Sequence, residues 1–333
     1  MARITHDPQE AIAALRAGRL VALPTETVYG LAGDARRADA VRSIFAAKGR
    51  PADHPLIVHV ADAGAAEALA ARWPSTARRL AQAFWPGPLT MIVPKAAAVD
   101  PLVTGGQDSV GLRVPAHPLA LAVLAGFAGP IAAPSANRFG RVSPTAAEHV
   151  LEEFPEHDLL VLDGGACPVG VESTIVDLTG ETLRVLRPGR IRAQAIEQAL
   201  ALPLAESLAG APRASGMLAS HYAPSRPAWR CDPATLMAAL AVLAARGWKM
   251  ALIHHSQPLV LPPEVAANVV AQTLLAADEA ETWERSLYAA LRAADRPGVD
   301  AIVVETPPSG AAWEAVHDRL RRATAATDIL TGE

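Results

Sequence analysis

The feature that most constrains the fold is the alternation, along residues 1–200, of short apolar runs with segments of helical periodicity. Helical patterns such as "PQEAIAALRAG" and "ADAVRSIFAAKG" separate several of the apolar runs. The runs have the length of strands: "RLVALP", "PLIVHV", "LTMIVP", "VGLRVP", "GPIAAP", "LLVLDGG" and "STIVDLT". Since a chain in this order must cover its sheet with helices, the pattern predicts an α/β domain built on one mixed, twisted sheet.

A change of composition divides the chain. Residues 203–228 are rich in Pro, Gly, Ser and Ala, as linkers are. Periodicity then returns, with "KMALIHH" and "VDAIVVET" as strands among three helical patterns. The chain of 333 residues is longer than a typical single domain. We therefore predict an α/β domain over residues 1–202, a linker over 203–228 and a smaller α/β domain over 229–333.

Composition excludes several classes of protein. The net charge is −4, from 30 basic and 34 acidic residues, so the chain lacks the bulk basic charge of a dedicated nucleic-acid binder. No apolar run approaches the roughly 20 residues needed to span a bilayer. Cys167 and Cys231 are too few for a disulfide framework and lack metal-ligand spacing. These features predict a cytoplasmic protein without membrane association.

A polar cluster follows the apolar run that ends at Leu23. Thr25, Glu26 and Thr27 stand where the strand should end. Ligands of open α/β sheets bind beyond the carboxyl ends of strands, which would place this cluster in a site. The alternative is that the three side chains only shape a turn.

Cations occur near other predicted element ends. Lys48 and Arg50 flank a helix end before a proline-stiffened loop, where they would either complement the helix dipole or bind a polyphosphate. His59 lies on the next strand, either as a core residue or as a ligand contact. Arg113 lies inside a strand with apolar neighbours, so either a protein carboxylate or a ligand anion must compensate its charge.

Hydroxyl groups recur at the following element ends. Ser135 follows a strand, and Ser143 precedes Pro144 in the arrangement of a helix N-cap, which is also compatible with an anion contact. Ser173 opens a strand, and Arg187 stands on a Pro-Gly turn. Together these residues indicate one anionic, hydroxyl-rich ligand held in a cleft.

Several standard nucleotide and catalytic motifs are absent. The sequence contains no G-x-x-x-x-G-K-[ST], no G-x-G-x-x-G, no G-x-S-x-G and no His/Cys cluster of metal-site spacing. A nucleotide, if bound, would be held by a different set of loops.

Seven segments occur in the order found in a known family. The sequence resembles the YrdC-like domain over residues 1 to about 225, and the later "SGMLASHYAP" resembles the linker of its long, two-domain form, the threonylcarbamoyl-adenylate synthases. For the C-terminal domain the resemblance rests on position and size. The segments are "LPTETVYGLAGDA", "KGRPADHPLIVHV", "FWPGPLTMIV", "VGLRVPAHP", "APSANRFGRVSPTAAEHV", "GGACPVGVESTIVDL" and "LRPGRI".

The resemblance implies an enzyme that joins L-threonine, bicarbonate and ATP into threonylcarbamoyl-AMP and releases pyrophosphate. The product would pass to a tRNA-modifying threonylcarbamoyl transferase complex. Lys48 and Arg50 would be catalytic, and Mg²⁺ would enter with ATP rather than on dedicated protein ligands. By the same resemblance the threonine side would comprise Thr27, His59, Arg113, Ala133 and Ser173. The nucleotide side would comprise Arg50, His54, Ser109, Ser135, Ser143 and Arg187, with Tyr222 of the linker closing over it.

The chain departs from the family pattern at three places. His54 stands where the family commonly has Asn, and it keeps a donor but changes its reach. Ser109 stands for Thr and keeps the hydroxyl. The linker reads Ala-Ser-Gly-Met over residues 214–217 in place of Ser-Pro-Gly-Met, and the loss of proline should make it less stiff.

Two other functions are compatible with parts of this pattern. An RNA-binding module would use a basic face of the domain, but the near-neutral charge predicts weak or absent tRNA binding. A carbamoyl-transfer domain of the hydrogenase-maturation type would require Cys-rich zinc segments, which two cysteines cannot supply.

Overall fold

A computed structural model describes residues 1–217, 221–255, 259–276, 279–324 and 329. The chain divides into two compact units. The first comprises Met1–Phe139 with Ser143–Met217, and the second comprises Gly140–Val142 with Leu218–Glu333. The first part of the predicted linker, up to Met217, thus clusters with the first unit.

The first unit is built on one ten-stranded mixed sheet in the order β1-β8-β2-β3-β7-β4-β6-β5-β9-β10. Strand β4 runs parallel to β6, while β5 runs antiparallel to β6 and parallel to β9. The predicted fold class is therefore confirmed. The strands are β1 (Arg3–Thr5), β2 (Val21–Leu23), β3 (Gly30–Asp34), β4 (Ile57–His59), β5 (Leu89–Pro94), β6 (Ser109–Arg113), β7 (Ile131–Ala132), β8 (Leu160–Leu162), β9 (Thr174–Asp177) and β10 (Arg184–Arg187).

Helices lie between many of these strands. Helix α2 shows why they form: Val41, Ile44 and Phe45 recur at helical spacing and are buried, and Gly49 ends the helix in the left-handed region at φ 62°. The helices of this unit are α1 (Pro8–Arg16), α2 (Ala38–Lys48), α3 (Ala63–Glu67), α4 (Ser75–Phe84), α5 (Pro118–Phe127), α6 (Ala147–Glu153) and α7 (Ala193–Leu200).

The central strands have one apolar and one mixed face. Side chains alternate across a strand, and one set of them packs into the main core, as Val58, Met91 and Leu112 do. The alternate positions, which carry His59 and Arg113 among others, point to the opposite face. The strand pairing places these two residues directly side by side. The sheet therefore presents a face with buried polar groups.

The second unit is a smaller α/β domain, as predicted. Its four strands are all parallel, in the order β11-β14-β12-β13. Its elements are β11 (Ala228–Cys231), α8 (Leu236–Ala245), β12 (Met250–His254), α9 (Pro263–Ala266), β13 (Val269–Leu274), α10 (Ala280–Ala294), β14 (Ala301–Glu305), a 3₁₀ helix (Ala311–Trp313) and α11 (Glu314–Ala323). Among the described helices of both units, none combines the length and apolarity needed to cross a membrane.

Candidate active site

The mixed face of the first sheet brings hydroxyl groups and a guanidinium together. Thr90 Oγ1 of β5 lies 2.8 Å from Ser173 Oγ, which precedes β9. Arg187, at the end of β10, donates to the Ser173 carbonyl oxygen at 2.9 Å and to its hydroxyl at 3.1 Å. All three residues are buried. A fixed guanidinium beside two hydroxyls is suited to hold an anionic group with hydrogen-bonding oxygens.

Lys48 is a buried cation rather than an exposed loop residue. It is the last residue of α2 and is only 3% exposed. Its Nζ donates to the carbonyl oxygens of Ser135 at 2.6 Å and Asn137 at 2.5 Å. Burial, and then the charge of Arg50, lower the pKa of this ammonium well below its usual value. An arriving anion would favour the charged form of the ammonium.

Arg50 is held from two sides beyond the end of α2. Its Nη2 donates to the Pro55 carbonyl oxygen at 3.0 Å and to Ser215 Oγ at 3.3 Å. Its guanidinium lies 5.6 Å from the centroid of the Phe139 ring, which also contacts the His54 ring at 5.3 Å. Partial burial, followed by the charge of Arg50, lowers the pKa of His54. The two predicted nucleotide contacts therefore share one aromatic neighbour.

A protein carboxylate compensates Arg113, which is one of the two possibilities that the sequence left open. Glu26 Oε1 lies 2.7 Å from Arg113 Nη2, and both side chains are less than a tenth exposed. Glu26 Oε2 also accepts from the Ala116 backbone at 3.0 Å. For Glu26 the alternative that it only shapes a turn is therefore wrong, because its side chain reaches across to β6. Thr25 does shape the turn, since its hydroxyl donates to the Val28 carbonyl oxygen.

His59 is a buried histidine whose two ring nitrogens both lack hydrogen-bond partners among the described residues. It stands beside Arg113 on the neighbouring strand. Burial, and then the charge of Arg113, lower the pKa of His59 to about 3. The ring is therefore neutral near pH 7, with one donor and one acceptor unused, as expected of a side chain that meets a polar ligand.

The lowered pKa of His59 predicts a pH-dependent stability. In the unfolded chain histidine titrates near pH 6.5, whereas folded His59 stays neutral down to about pH 3. The unfolded state therefore binds more protons as the pH falls below 6.5, and the folded state loses stability in that range. Between pH 6.5 and pH 5 the loss due to His59 should be about 1.6 kcal/mol.

The matched variant is His59→Gln, which keeps a polar side chain but cannot take up a proton. Urea unfolding, followed by amide hydrogen exchange in β4 and β6, should show a smaller loss of stability between pH 6.5 and pH 5 for the variant. Equal losses in both proteins would contradict the assignment of a neutral, buried ring.

The expected N-cap at Ser143 is wrong. Helix α6 begins only at Ala147, because the carbonyl oxygens of Pro144 and Thr145 are used by Tyr29 and Cys167 backbone amides from other segments. The Ser143 hydroxyl donates instead to Glu172 Oε1 at 2.6 Å. Ser143 thus lies next to the strand opening that carries Ser173.

The remaining predicted residues of the first unit lie nearby in the fold. Thr27 is fully buried, with its hydroxyl 2.9 Å from that of Thr25. The Ala133 amide donates to the Ile57 carbonyl oxygen of β4. Ser135 forms an isolated bridge with Gly30. Ser109 is the first residue of β6 and lines a cleft together with residues 213–215.

Residues 211–217 pack onto the polar face instead of forming a free tether. Ala214 joins Ile92, Ile175 and Leu186 in a small buried cluster. Ser215 accepts from Arg50 through its hydroxyl and from Arg187 through its carbonyl oxygen, the latter at 3.0 Å. Both predicted phosphate-binding arginines are therefore bridged by one serine of this segment.

Tyr222 lies in the second unit. It is 1% exposed, has a positive φ of 62°, and contacts the rings of His221 and Tyr288. The Arg319 guanidinium lies 5.4 Å from the centroid of its ring. A nucleotide contact by Tyr222 stays a prediction.

A protein metal site is not found where the structure can be described. Within residues 1–217, 221–255, 259–276 and 279–324, no three His, Cys, Asp or Glu side chains are grouped as metal ligands would be.

Sequence reasoning missed three residues that lie among these side chains, Thr90, Glu172 and Ser215, and it named Glu26 without its role as the ion-pair partner of Arg113. The sequence held a signal for two of them, because Thr90 interrupts the apolar run "LTMIVP" and Glu172 directly precedes Ser173. Ser215 carried no local signal, because only the docking of its segment brings it to the two arginines.

The fold and the site together define an α/β protein whose first sheet gathers buried cationic and hydroxyl side chains on one face, followed by a separate parallel α/β domain. A family model described as "Telomere recombination", whose name includes YrdC, matches residues 13–189. A second, described as the threonylcarbamoyl-AMP synthase C-terminal domain, matches residues 191–325. The chain belongs to the threonylcarbamoyl-AMP synthase family, in its two-domain form.

Individual relatives agree with this assignment. The threonylcarbamoyl-AMP synthase of Pyrococcus abyssi is 39% identical, with 93% of this chain and 92% of the relative aligned. That of Bacillus subtilis is also 39% identical, over 96% and 94%. A crystal structure of P. abyssi Sua5 complexed with L-threonine superposes with a TM-score of 0.87 at 37% identity, covering 97% of each chain. Membership favours the synthase over the RNA-binding and carbamoyl-transfer alternatives.

Proposed function

We propose that this enzyme makes threonylcarbamoyl-AMP and pyrophosphate from L-threonine, bicarbonate and ATP. The observation that carries the proposal is the set of buried cations and hydroxyls on one sheet face, in a chain whose two domains both match the synthase family. The product would serve the threonylcarbamoylation of tRNA in the cytoplasm through a downstream transferase complex.

The nucleotide would lie at the arginine side of this face. Arg50 and Arg187 both donate to Ser215, and this shared partner would hold the two guanidinium groups in place for an arriving triphosphate. Lys48 adds a point charge beside Arg50, and Ser135, Ser143, Ser109 and His54 would complete the contacts. Tyr222 is retained as a proposed contact from the second unit.

Threonine would lie at the His59 side. His59 offers an unused donor and an unused acceptor in a buried place, which suits an amino group and a hydroxyl. The guanidinium of Arg113 is oriented by Glu26 and would receive the carboxylate. Thr27, Ala133 and Ser173 would form the remaining wall.

Chemistry would proceed by positioning and charge neutralisation. The threonine amine attacks bicarbonate, or CO₂ derived from it, and gives a carbamate with loss of water. A carbamate oxygen then attacks the α-phosphorus in line, and pyrophosphate leaves. Arg50 and Lys48 would stabilise the charge that develops on the phosphates. Mg²⁺ bound to the phosphates would neutralise part of the same charge.

Pyrophosphate release tests the proposal directly. The purified enzyme is incubated with Mg²⁺ and ATP, L-threonine and bicarbonate, and with each substrate omitted in turn. We expect release only with all three. Release that continues without threonine would contradict the proposed reaction.

The packing of residues 211–217 onto the polar face gives a further prediction. Deletion of residues 212–224 should weaken ATP retention at least tenfold, because Arg50 and Arg187 lose their shared serine and the cleft loses its cover. Equilibrium dialysis with ATP measures the effect, and circular dichroism shows whether both domains stay folded. Unchanged retention by a folded variant would show that the segment is only a tether.

A further inference from the structure

A second pocket lies in the first unit, and none of the residues assigned to the candidate active site lines it. Its floor is apolar, with Leu20, Leu31, Phe154 and Leu159. Its cavity volume is about 260 Å³. This is close to the lower end of the roughly 300–1,000 Å³ of small-molecule sites, so the pocket suits a small ligand.

Two opposite charges stand at the rim of this pocket. Arg19 and Asp158 both line it, and both are exposed. The parallel strands β2 and β8 pair Val21 with Leu160, so Arg19 and Asp158 occupy matching positions two residues before that pair. Their backbones therefore come close together at the starts of neighbouring strands.

These two charges nevertheless form no ion pair with each other or with another described residue. Neither side chain has a hydrogen bond or salt bridge in the described part of the chain. An exposed pair between them would contribute little stability. A ligand with one anionic and one cationic group could therefore bind to both at little cost.

His157 adds a donor at the same rim. Its Nδ1 is buried and lacks a hydrogen-bond partner among the described residues, so Nε2 is the ring nitrogen placed to donate to a ligand. Nε2 is not among the buried nitrogens, and His157 lines the pocket. Donors thus come from Arg19 and His157, and the acceptor comes from Asp158.

We propose that this pocket binds a free α-amino acid with an apolar side chain. Arg19 and His157 take the carboxylate, Asp158 takes the ammonium group, and the side chain rests on the floor formed by Leu20, Leu31, Phe154 and Leu159. The apolar floor disfavours L-threonine, whose hydroxyl would be buried there without a partner. The site is thus distinct from the threonine site of the proposed function and does not depend on it.

Calorimetric titration of the full-length protein with L-leucine tests the proposal. Saturating L-threonine is present throughout, so that the candidate active site is already filled. We expect one leucine per chain with a dissociation constant of about 1 mM or lower. Two analogues complete the test: 4-methylpentanoate lacks the ammonium group and leucinol lacks the carboxylate, and each should bind at least tenfold more weakly. No heat at about 20 mM leucine, or equal binding of either analogue, would overturn the proposal.

Variants at the rim give an independent test. Arg19→Gln and Asp158→Asn should each weaken leucine binding at least tenfold, and both residues are exposed, so the fold should tolerate the changes. Arg79→Gln is the matched control, because Arg79 is another exposed arginine of this unit, and it should bind leucine like the wild type. Unchanged binding in both rim variants would overturn the assignment.

Discussion

Replacement of Arg50 by alanine is expected to lower kcat/KM for pyrophosphate release about 100-fold, the loss typical when a donor to developing charge is removed. Arg50 is 7% exposed, and its guanidinium is held by the Pro55 carbonyl oxygen and Ser215. This cation, already held in position, would stabilise the negative charge that develops on the phosphates of ATP. Initial rates at varied ATP, with threonine and bicarbonate in excess, measure the effect.

Two variants serve as controls for this result. Arg50→Lys keeps the charge but loses the planar fork, so it should recover only part of the activity. Arg78→Ala removes an exposed arginine that pairs with Glu67 on the surface, and its rates should match the wild type within twofold. A folded Arg50→Ala enzyme with wild-type kcat/KM would remove Arg50 from the catalytic assignment.

Glu26→Gln is expected to destabilise the first domain by about 3 kcal/mol, because it leaves Arg113 charged, buried and without a counterion. The two side chains are 8% and 5% exposed and lie 2.7 Å apart. Glu67→Gln, which breaks the exposed pair with Arg78, should cost less than about 1 kcal/mol. Urea unfolding with hydrogen exchange read in β4 and β6 separates this domain from the second.

The double variant Glu26→Gln/Arg113→Met distinguishes a lost charge balance from a simple loss of packing. Removal of both charges should restore part of the stability lost in Glu26→Gln, so the two effects will not add. Two results would show that the ion pair does not matter for the fold. One is a loss of unfolding free energy below about 1 kcal/mol in Glu26→Gln, and the other is a loss in the double variant equal to the sum of the losses in the two single variants.

Much of the fold followed from local patterns. Helix α2 was predicted from the spacing of Val41, Ile44 and Phe45 and from Gly49, and the structure ends the helix at that glycine. The mixed sheet and the smaller α/β domain were predicted from alternating periodicities. The N-cap at Ser143 failed because distant segments used the carbonyl oxygens of the next residues, and a local motif cannot reveal such competition.

The sequence predicted some residues of the candidate site but few of the contacts between them. Family resemblance named Arg187 and Ser173, and the structure joins them through three hydrogen bonds. His59 and Arg113 were predicted to lie on strands, and the structure adds that they stand side by side on neighbouring strands. The alternation of polar and apolar residues along each strand predicts which face a side chain takes. It does not predict which strands are neighbours, so the adjacency of His59 and Arg113 required the structure.

The sequence by itself determined which residues alternate between the two faces, where helices end, and that the chain holds two α/β domains, because these depend on neighbours within a few positions. Only the tertiary structure decided that Glu26 compensates Arg113, that Thr90 meets Ser173, and that Ser215 bridges Arg50 and Arg187. Each of these contacts joins segments far apart in the chain, and strand order brings them together. The role of the polar cluster Thr25, Glu26 and Thr27 depends on that order, because the Glu26 carboxylate reaches β6, which begins more than eighty residues later.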